Sequence, residues 1–261
     1  MARPLTVVIV GFGNFGQFLA KAFVRCGHKV IGCSRSDYTD VARQLGCGYE
    51  RDLDRVLDRY RVDVLLLATS ILSTESVIRK MPVDRLGDCL VVDVLSVKTY
   101  ARDLLLRYMP PQTDLLATHP MFGPESGKHS WHGLPFVYER VRVQRDPERC
   151  EAFIDIFRQQ GCAMVEMSCA DHDHYAASTQ FITHTTGRML AELDIRSTPI
   201  NTKGFESLLA VVETTVRDSF ELYYGLYRYN PNAHEELEKM QRALENVKRK
   251  LEEYDARQSQ R

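Results

Sequence analysis

The chain has 261 residues, 44% of them hydrophobic and 26% charged, which is the composition of an ordinary globular protein with a sizeable core. A formal net charge of −1 lacks the basic excess that binds nucleic acid or an anionic membrane, so we expect neither partner and instead a small-molecule substrate. The seven cysteines contain no C-x-x-C pair, which predicts free thiols and no metal site.

The first half of the chain alternates short apolar runs with helical stretches. Leu5–Val10 is the first predicted strand, and the helix Asn14–Cys26 follows it. Further buried strands are predicted at His28–Cys33, Val62–Ala68, Leu90–Val94 and Asp114–Thr118. Because strands that alternate with helices form βαβ units, we predict an α/β Rossmann-type domain with a parallel sheet over residues 1–168.

The pattern becomes helical after residue 168. Predicted helices cover His172–Leu193, Phe205–Tyr229 and Asn232–Tyr254. The last of these carries a narrow apolar stripe at steps of three or four residues: Leu237, Met240, Leu244, Val247 and Leu251. We therefore predict an all-helical second domain over residues 169–261. No apolar run approaches the ~18 residues of a membrane span, and we expect no targeting segment before the first strand.

A glycine-rich turn follows the first strand, in the pattern G-x-G-x-x-G. Gly11 permits the tight turn, Gly13 lets a pyrophosphate approach the backbone, and Gly16 lets the helix pack close to the sheet. A structural turn without a ligand is the alternative. The predicted cofactor-binding residues at this edge of the sheet are Gly11, Gly13, Asn14, Phe15 and Gly16, with Thr69 and Ser70 after the strand Val62–Ala68.

The end of the second strand indicates which dinucleotide binds. NAD-binding enzymes place an Asp or Glu here for the ribose 2′-hydroxyl, whereas this chain has Ser34, Arg35 and Ser36. An arginine and two hydroxyls suit a 2′-phosphate, so we predict NADP. Asp37 is one residue further on, and we interpret it as a turn or helix-capping residue rather than a ribose ligand.

Polar segments follow the next two strands, at Asp93–Lys98 and Thr118–Gly127. Ligands of doubly wound sheets bind outside the carboxyl ends of strands, so we expect both segments beside the nicotinamide. His119 is a candidate base, because it can take the proton of a hydroxyl while hydride leaves the same carbon. A loop histidine that only caps backbone groups is the alternative at this point.

Five segments of the chain resemble one enzyme family. Residues 93–98 (Asp-Val-Leu-Ser-Val-Lys) and 119–124 (His-Pro-Met-Phe-Gly-Pro) resemble the arogenate/prephenate dehydrogenases of tyrosine biosynthesis. Gln180–Thr185, Pro199–Gly204 and Asp218–Phe220 resemble the plant-type arogenate branch. The resemblance covers nearly the whole chain, from the glycine turn to the last predicted helix.

The resemblance implies an NADP-dependent oxidative decarboxylation of L-arogenate to L-tyrosine, with conversion of prephenate to 4-hydroxyphenylpyruvate as the alternative. Hydride leaves C4 of the ring, and CO₂ leaves C1. By this resemblance His119 accepts or hydrogen-bonds the C4 hydroxyl, and Ser96 makes a second hydrogen bond to His119 or to the hydroxyl. A helix N-cap is the other role considered for Ser96.

The resemblance also implies substrate contacts from the helical domain. Gln180 and His184 are four residues apart on one helix face, where a polar surface stripe is the alternative. Thr202 and Lys203 match a carboxylate-binding stretch. Bacterial relatives bind the ring carboxylate with an arginine of this domain, which has no clear counterpart here, since Arg188 and Arg217 are less suited.

The prediction that arogenate rather than prephenate is the substrate depends on Asp218. Arogenate has a side-chain ammonium where prephenate has a keto group, and an aspartate attracts the first and repels the already anionic second. By the resemblance, arogenate enzymes have Asp at this position. A surface acid paired with Arg217 or Arg188 is the alternative.

Assembly and location are also expectations from the resemblance. The helical domain is expected to join two chains in a homodimer. The compartment is expected to be the plastid stroma if the source is a plant or alga, and otherwise the cytoplasm. A cofactor-binding regulator without turnover would be expected to lack His119, which is present.

Overall fold

The computed structural model describes residues 3–259. These residues form two compact units, with the division between His172 and Asp173. The sequence predicted the boundary after residue 168, so the two divisions differ by four residues. The first unit contains the following strands: β1 Thr6–Val10, β2 Lys29–Cys33, β3 Gly48–Glu50, β4 Val64–Leu67, β5 Leu90–Asp93, β6 Asp114–Pro120, β7 Pro135–Arg142 and β8 Ala163–Glu166. Its helices are α1 Asn14–Arg25, α2 Thr39–Leu45, α3 Leu53–Arg59, α4 Ile71–Ile78, α5 Lys98–Tyr108 and α6 Pro147–Gln159, with a 3₁₀ turn at Val83–Leu86.

The strands form one sheet in the order β3-β2-β1-β4-β5-β6-β7-β8. Neighbouring strands from β3 to β6 are parallel. The chain order reverses between β1 and β4, so the crevice that binds ligands in doubly wound sheets lies outside the carboxyl ends of these two strands. The predicted Rossmann-type architecture is therefore confirmed.

The sheet departs from the prediction at β7, which runs antiparallel to β6. Pairing with β7 also lengthens β6, because β5 pairs with β6 only as far as Ala117. Thr118, His119 and Pro120 continue the strand against β7 beyond that point. His119 is therefore a strand residue, and the prediction that it follows the strand in a loop was wrong.

The core of the first unit lies on both faces of the sheet, as expected for parallel strands. All four residues of β4 and of β5 are buried. α1 packs on the sheet through one face that includes Leu19, Ala22 and Phe23, in agreement with its helical periodicity. This packing fixes the start of α1 directly behind the end of β1.

The second unit is helical. α7 Cys169–Ala176 begins before the division between the units, and a π-helical turn at Ala177–Phe181 joins it to α8 Ile182–Glu192. The remaining helices are α9 Lys203–Arg217, α10 Phe220–Tyr229 and α11 Ala233–Gln258. The stretch predicted at Phe205–Tyr229 is two helices, and the last helix extends four residues beyond the predicted end. Within residues 3–259 no helix combines the length and the apolar character required to cross a membrane.

Candidate active site

The glycine turn has the geometry that a dinucleotide requires. Gly11 has a φ of +96°, and a Cβ on it would lie 2.5 Å from the carbonyl oxygen of Ala68 on the adjacent chain segment. A Cβ on Gly16 would overlap the carbonyl oxygen of Gly11, so both positions require glycine. A Cβ on Gly13, in contrast, would meet no protein atom within 4 Å. The space over Gly13 is therefore open to a ligand.

The start of α1 faces this open space. Gly13 is the N-cap, and no side chain caps the helix. The predicted ligand residues Asn14 and Phe15 form its first turn, whose backbone N–H groups lack intrahelical acceptors. Such a helix start suits a pyrophosphate, so the residues of the turn fit a dinucleotide cofactor. Phe12 itself is fully buried and belongs to the core.

The hydroxyls and the arginine after β2 differ in their surroundings. The Ser34 hydroxyl lies 3.1 Å from the Tyr49 hydroxyl, and the carbonyl of Ser36 accepts a hydrogen bond from the same tyrosine. The side chain of Arg35 is exposed. Asp37 accepts hydrogen bonds from the backbone N–H and the hydroxyl of Thr39, the first residue of α2, which lowers the pKa of its carboxyl group. The turn interpretation of Asp37 agrees with this geometry.

Thr69 and Ser70 follow β4 at the same edge of the sheet. The Thr69 hydroxyl is hydrogen-bonded to that of Thr74 at 2.8 Å, whereas the side chain of Ser70 makes no capping hydrogen bond at the start of α4. Ser70 is exposed. Its hydroxyl is therefore the more available of the two predicted contacts.

A buried ion pair joins the ends of two neighbouring strands. Lys98, at the start of α5, donates to the carboxylate of Asp93 at the end of β5 and to the carbonyl of Thr118 in β6. The Thr118 hydroxyl donates to the Asp93 carbonyl at 2.5 Å. Lys98 and Asp93 are nearly inaccessible, and removing one partner of such a pair typically costs about 3–5 kcal/mol. Through the hydrogen bond from Lys98 to its carbonyl, the pair fixes the position of Thr118, the strand residue before His119.

His119 lies at the end of β6 and contacts a second histidine. Its Nδ1 is 2.8 Å from Nε2 of His172 in α7, and both imidazoles are buried. Burial, together with the electrostatic effects of His172 and Lys98, holds the pKa of His119 well below its usual range. The imidazole is therefore neutral at pH 7 and has the protonation state of a base.

Ser96 is not the N-cap of α5, and it is not the side chain that is hydrogen-bonded to His119. The N-cap of α5 is Val97 rather than Ser96, so the capping role is wrong. Among the described residues, the side chain hydrogen-bonded to His119 is His172. Ser96 is half-buried between β5 and α5, and its hydrogen bond to the substrate hydroxyl stays a prediction.

Two polar residues of the second unit, Gln180 and His184, lie on successive helical turns. Gln180 lies in the π-helical turn, and His184 lies in α8. The Oε1 atom of Gln180 and the Nδ1 atom of His184 are both buried and have no hydrogen-bond partner within residues 3–259. A native protein rarely leaves such atoms unpaired, so these two residues are not a solvated surface stripe.

Asp218 lies next to His184. Its carboxylate oxygen is 3.7 Å from Nε2 of His184, and its side chain is about half exposed. Burial lowers the pKa of His184, and the Asp218 carboxylate opposes this shift. Arg217 pairs with Glu213. The half-exposed carboxylate of Asp218 is consistent with a site for a cationic ligand group.

Arg188 fixes the backbone around Asp218. Its guanidinium donates to the carbonyls of Asp218 at 2.8 Å and of Ser219 at 3.2 Å. It also lies over the rings of Phe220 and Tyr223, at 5.5 and 5.1 Å from their centroids. Arg188 thus contacts the main chain of Asp218 rather than its carboxylate.

Thr202 and Lys203 form the start of α9. The Thr202 hydroxyl accepts from the backbone N–H of Phe205 and is the N-cap of the helix. Both residues are exposed. Thr202 therefore has a structural role that the sequence analysis did not consider, and Lys203 is the freer of the two to meet a carboxylate.

Three residues that make specific contacts in this geometry were not predicted as site residues: Lys98, His172 and Arg188. Lys98 was quoted within a motif, and its spacing of five residues from Asp93 was the available signal. His172 and Arg188 gave no local signal, because their partners are distant in sequence.

Comparisons with known proteins agree with this arrangement. A family model described as the nucleotide-binding domain of prephenate dehydrogenase matches residues 19–143, and one described as a TYRAAT1-like C-terminal domain matches residues 189–261. Arogenate dehydrogenase 2, chloroplastic, of Arabidopsis thaliana is 55% identical over 254 residues, which are 96% of this chain and 71% of that protein. The chain belongs to the arogenate/prephenate dehydrogenase family.

Other relatives of this family member differ in length. Arogenate dehydrogenase 1, chloroplastic, of the same plant is also 55% identical, over 95% of this chain but only 39% of its own length. The solved structure of Synechocystis arogenate dehydrogenase has a TM-score of 0.71 at 20% identity and covers 96% of this chain and 93% of its own. A prephenate dehydrogenase from A. aeolicus, in complex with hydroxyphenyl propionate and NAD⁺, has a TM-score of 0.73, also at 20% identity, over 95% and 91%. These two structures support the fold.

Proposed function

We propose that this oxidoreductase catalyses the NADP-dependent oxidative decarboxylation of L-arogenate to L-tyrosine. The observation that carries the proposal is a neutral, buried His119 at the carboxyl end of β6, next to the crevice of the sheet. The names of the two Arabidopsis relatives support arogenate as the substrate.

A dinucleotide held at Gly13 and the start of α1 would supply the acceptor for the hydride that leaves C4 of the substrate. His119 accepts the C4 hydroxyl proton, which a neutral imidazole can do and an imidazolium cannot. The ketone that forms withdraws electrons from the ring, and CO₂ leaves C1 as the ring becomes aromatic. The residues of the chain mainly hold the hydroxyl against the base and exclude water.

The polar groups of the helical unit support recognition of the substrate side chain. A carboxylate at Asp218 attracts the ammonium of arogenate, and the unpaired polar atoms of Gln180 and His184 supply hydrogen-bonding capacity. Lys203 supplies a cation for a carboxylate. Prephenate, with a keto group instead of the ammonium, gains nothing from Asp218 and remains the second candidate substrate.

NADP is proposed over NAD from the residues after β2. Arg35 is exposed beside two serines, while the carboxylates in the neighbourhood have other partners. Asp37 accepts from Thr39, and Glu50 pairs with Arg59. A 2′-phosphate would therefore meet a free guanidinium rather than a free carboxylate.

A homodimer and a plastid location complete the proposal. The apolar stripe of α11 is exposed, with Leu244 and Leu251 at 66% and 67%, as expected for a face that a second copy covers. Both Arabidopsis relatives are named as chloroplastic, which supports the plastid stroma if the source is a plant or alga, and the cytoplasm is proposed otherwise. Cell fractionation with an antibody against the protein tests the location.

The deciding experiment measures initial rates with arogenate or prephenate, each with NADP⁺ or NAD⁺. The largest kcat/KM is expected for arogenate with NADP⁺. His119→Asn is expected to lower kcat about 10²–10⁴-fold, the usual contribution of a general base, with the exposed His129→Asn as control. Absence of turnover with arogenate by the unmodified protein would refute the proposed function.

A further inference from the structure

His172 is the partner of the proposed base, and no role has been assigned to it so far. Its Nε2 lies 2.8 Å from Nδ1 of His119, and only 3% of the residue is exposed. We propose that His172 is a positioning residue, which holds His119 in the one tautomer that can accept the substrate proton. The proposal rests on the proposed role of His119 as the base.

The hydrogen bond between Nδ1 of His119 and Nε2 of His172 couples the tautomers of the two imidazoles. One nitrogen carries the proton, and the other offers its lone pair. A base that accepts a proton at Nε2 must carry its own proton on Nδ1. His119 therefore donates Nδ1–H to Nε2 of His172, and His172 accepts with a lone pair. Without this acceptor, either tautomer of His119 can form, and the one with a protonated Nε2 is inactive.

The proton of the substrate hydroxyl moves to His119, and His172 stays hydrogen-bonded to the other nitrogen of that imidazole. The O–H bond of the C4 hydroxyl breaks, its proton joins Nε2 of His119, and its electron pair forms the C4 carbonyl as hydride leaves C4 for the nicotinamide. His119 becomes an imidazolium that keeps Nδ1–H directed at His172. The lone pair of His172 then stabilises the developing positive charge, in the position that a carboxylate has in Ser-His-Asp triads.

An imidazole acceptor, rather than a carboxylate, suits the charges that surround His119. Lys98 at the start of α5 lowers the pKa of His119, and Asp93 at the end of β5 is bonded to that lysine. Glu139 on β7 accepts from the backbone N–H of Cys169 at the start of α7. A third carboxylate in place of His172 would favour the imidazolium and remove the free base at neutral pH.

The first experiment compares His172→Leu with His172→Gln. Leucine removes the acceptor, so kcat is expected to fall about 10²-fold or more while the KM values change less than about threefold. Glutamine retains an oxygen that accepts Nδ1–H, and kcat is expected to recover to within about tenfold of the unmodified enzyme. The control is His174→Leu, which changes an exposed histidine two residues further along α7.

The second experiment changes the charge of the acceptor. His172→Glu places a carboxylate against Nδ1 and is expected to raise the pKa of His119. The acid limb of kcat/KM then moves to higher pH, so the variant loses activity at pH 6 to 7 and regains it at higher pH. A residue that only fills space would change the rate without moving this limb.

A third measurement does not depend on turnover. ¹⁵N NMR of the imidazole nitrogens is expected to find the proton of His119 on Nδ1 in the unmodified enzyme and a mixture of tautomers in His172→Leu. A proton on Nε2 of His119 in the unmodified enzyme would overturn the proposal. So would equal losses in the leucine and glutamine variants together with an unmoved pH profile. Failure of the proposed function would appear separately, as absent turnover of arogenate by the unmodified protein.

Discussion

Asp218 is the single residue on which substrate choice depends under the proposed function. Its carboxylate lies 3.7 Å from Nε2 of His184 and is half exposed. Asp218→Asn removes the charge and keeps the size, so kcat/KM for arogenate is expected to fall about 10–100-fold, the value of one charge-assisted hydrogen bond. The value for prephenate is expected to rise, because a repulsive carboxylate has been removed.

The matched control for this experiment is Glu213→Gln. Glu213 is an exposed acid of α9 that pairs with Arg217, so its replacement removes one carboxylate from this helix and leaves the Asp218 side chain in place. Steady-state kinetics with both substrates provide the measurement. An Asp218→Asn variant without any gain on prephenate contradicts the role in discrimination.

Under the proposed function, Arg35 is the residue that distinguishes NADP from NAD. Arg35→Ala removes the cation proposed for the 2′-phosphate, so the KM for NADP⁺ is expected to rise about tenfold or more, while that for NAD⁺ stays within about twofold. Arg43→Ala is the control, since Arg43 is an exposed arginine of α2 that pairs with Asp40. An unchanged KM for NADP⁺ in the Arg35 variant means that another group binds the phosphate.

At the scale of elements, the C-terminal end of α9 is fixed by an arginine of α8. Arg188 donates to the carbonyls of Asp218 and Ser219 and lies over two aromatic rings of α10. These contacts hold the backbone from which the Asp218 carboxylate projects. Helix C-termini favour cations, which adds to the stability of the arrangement.

Replacing Arg188 tests whether this arrangement serves recognition. Arg188→Met removes the donors, so kcat/KM for arogenate is expected to fall about tenfold more than that for prephenate, whose binding does not use Asp218. The melting temperature is measured in parallel, with Arg196→Met, an exposed arginine paired with Asp194, as control. Equal losses on both substrates would mean that Arg188 contributes to stability alone.

The same scale explains where the sequence analysis went wrong. The apolar pattern of a strand does not state its direction, so the sequence predicted a parallel sheet and missed the antiparallel pairing of β7 with β6. That pairing extends β6 to Pro120, so His119 belongs to a strand. The boundaries of β1 and α1, in contrast, were correct to within one residue, because the period of apolar residues is a local property.

At the scale of the whole molecule, the proposed dimer is tested through α11. Leu244→Glu combined with Leu251→Glu places two charges on the exposed apolar stripe, so the mass in solution is expected to fall from two chains to one. Light scattering with chromatography provides the measurement. Asn246→Glu, on the opposite face of α11, is expected to leave the mass unchanged. A monomeric unmodified protein contradicts the proposed assembly.

The sequence by itself determined the Rossmann-type unit, the glycine turn and the identity of the family, because these depend on local periodicity, on backbone freedom at Gly11 and Gly16, and on the order of the motifs. Only the tertiary structure decided the partners of the chemical groups. His119 meets His172 across 53 residues, and Arg188 reaches the carbonyl of Asp218 across 30. Such pairs form where separate elements pack together, and no local spacing in the sequence encodes them. The type of each predicted residue was thus available from the sequence, whereas its hydrogen-bond partner, and through it the tautomer of the base, required the fold.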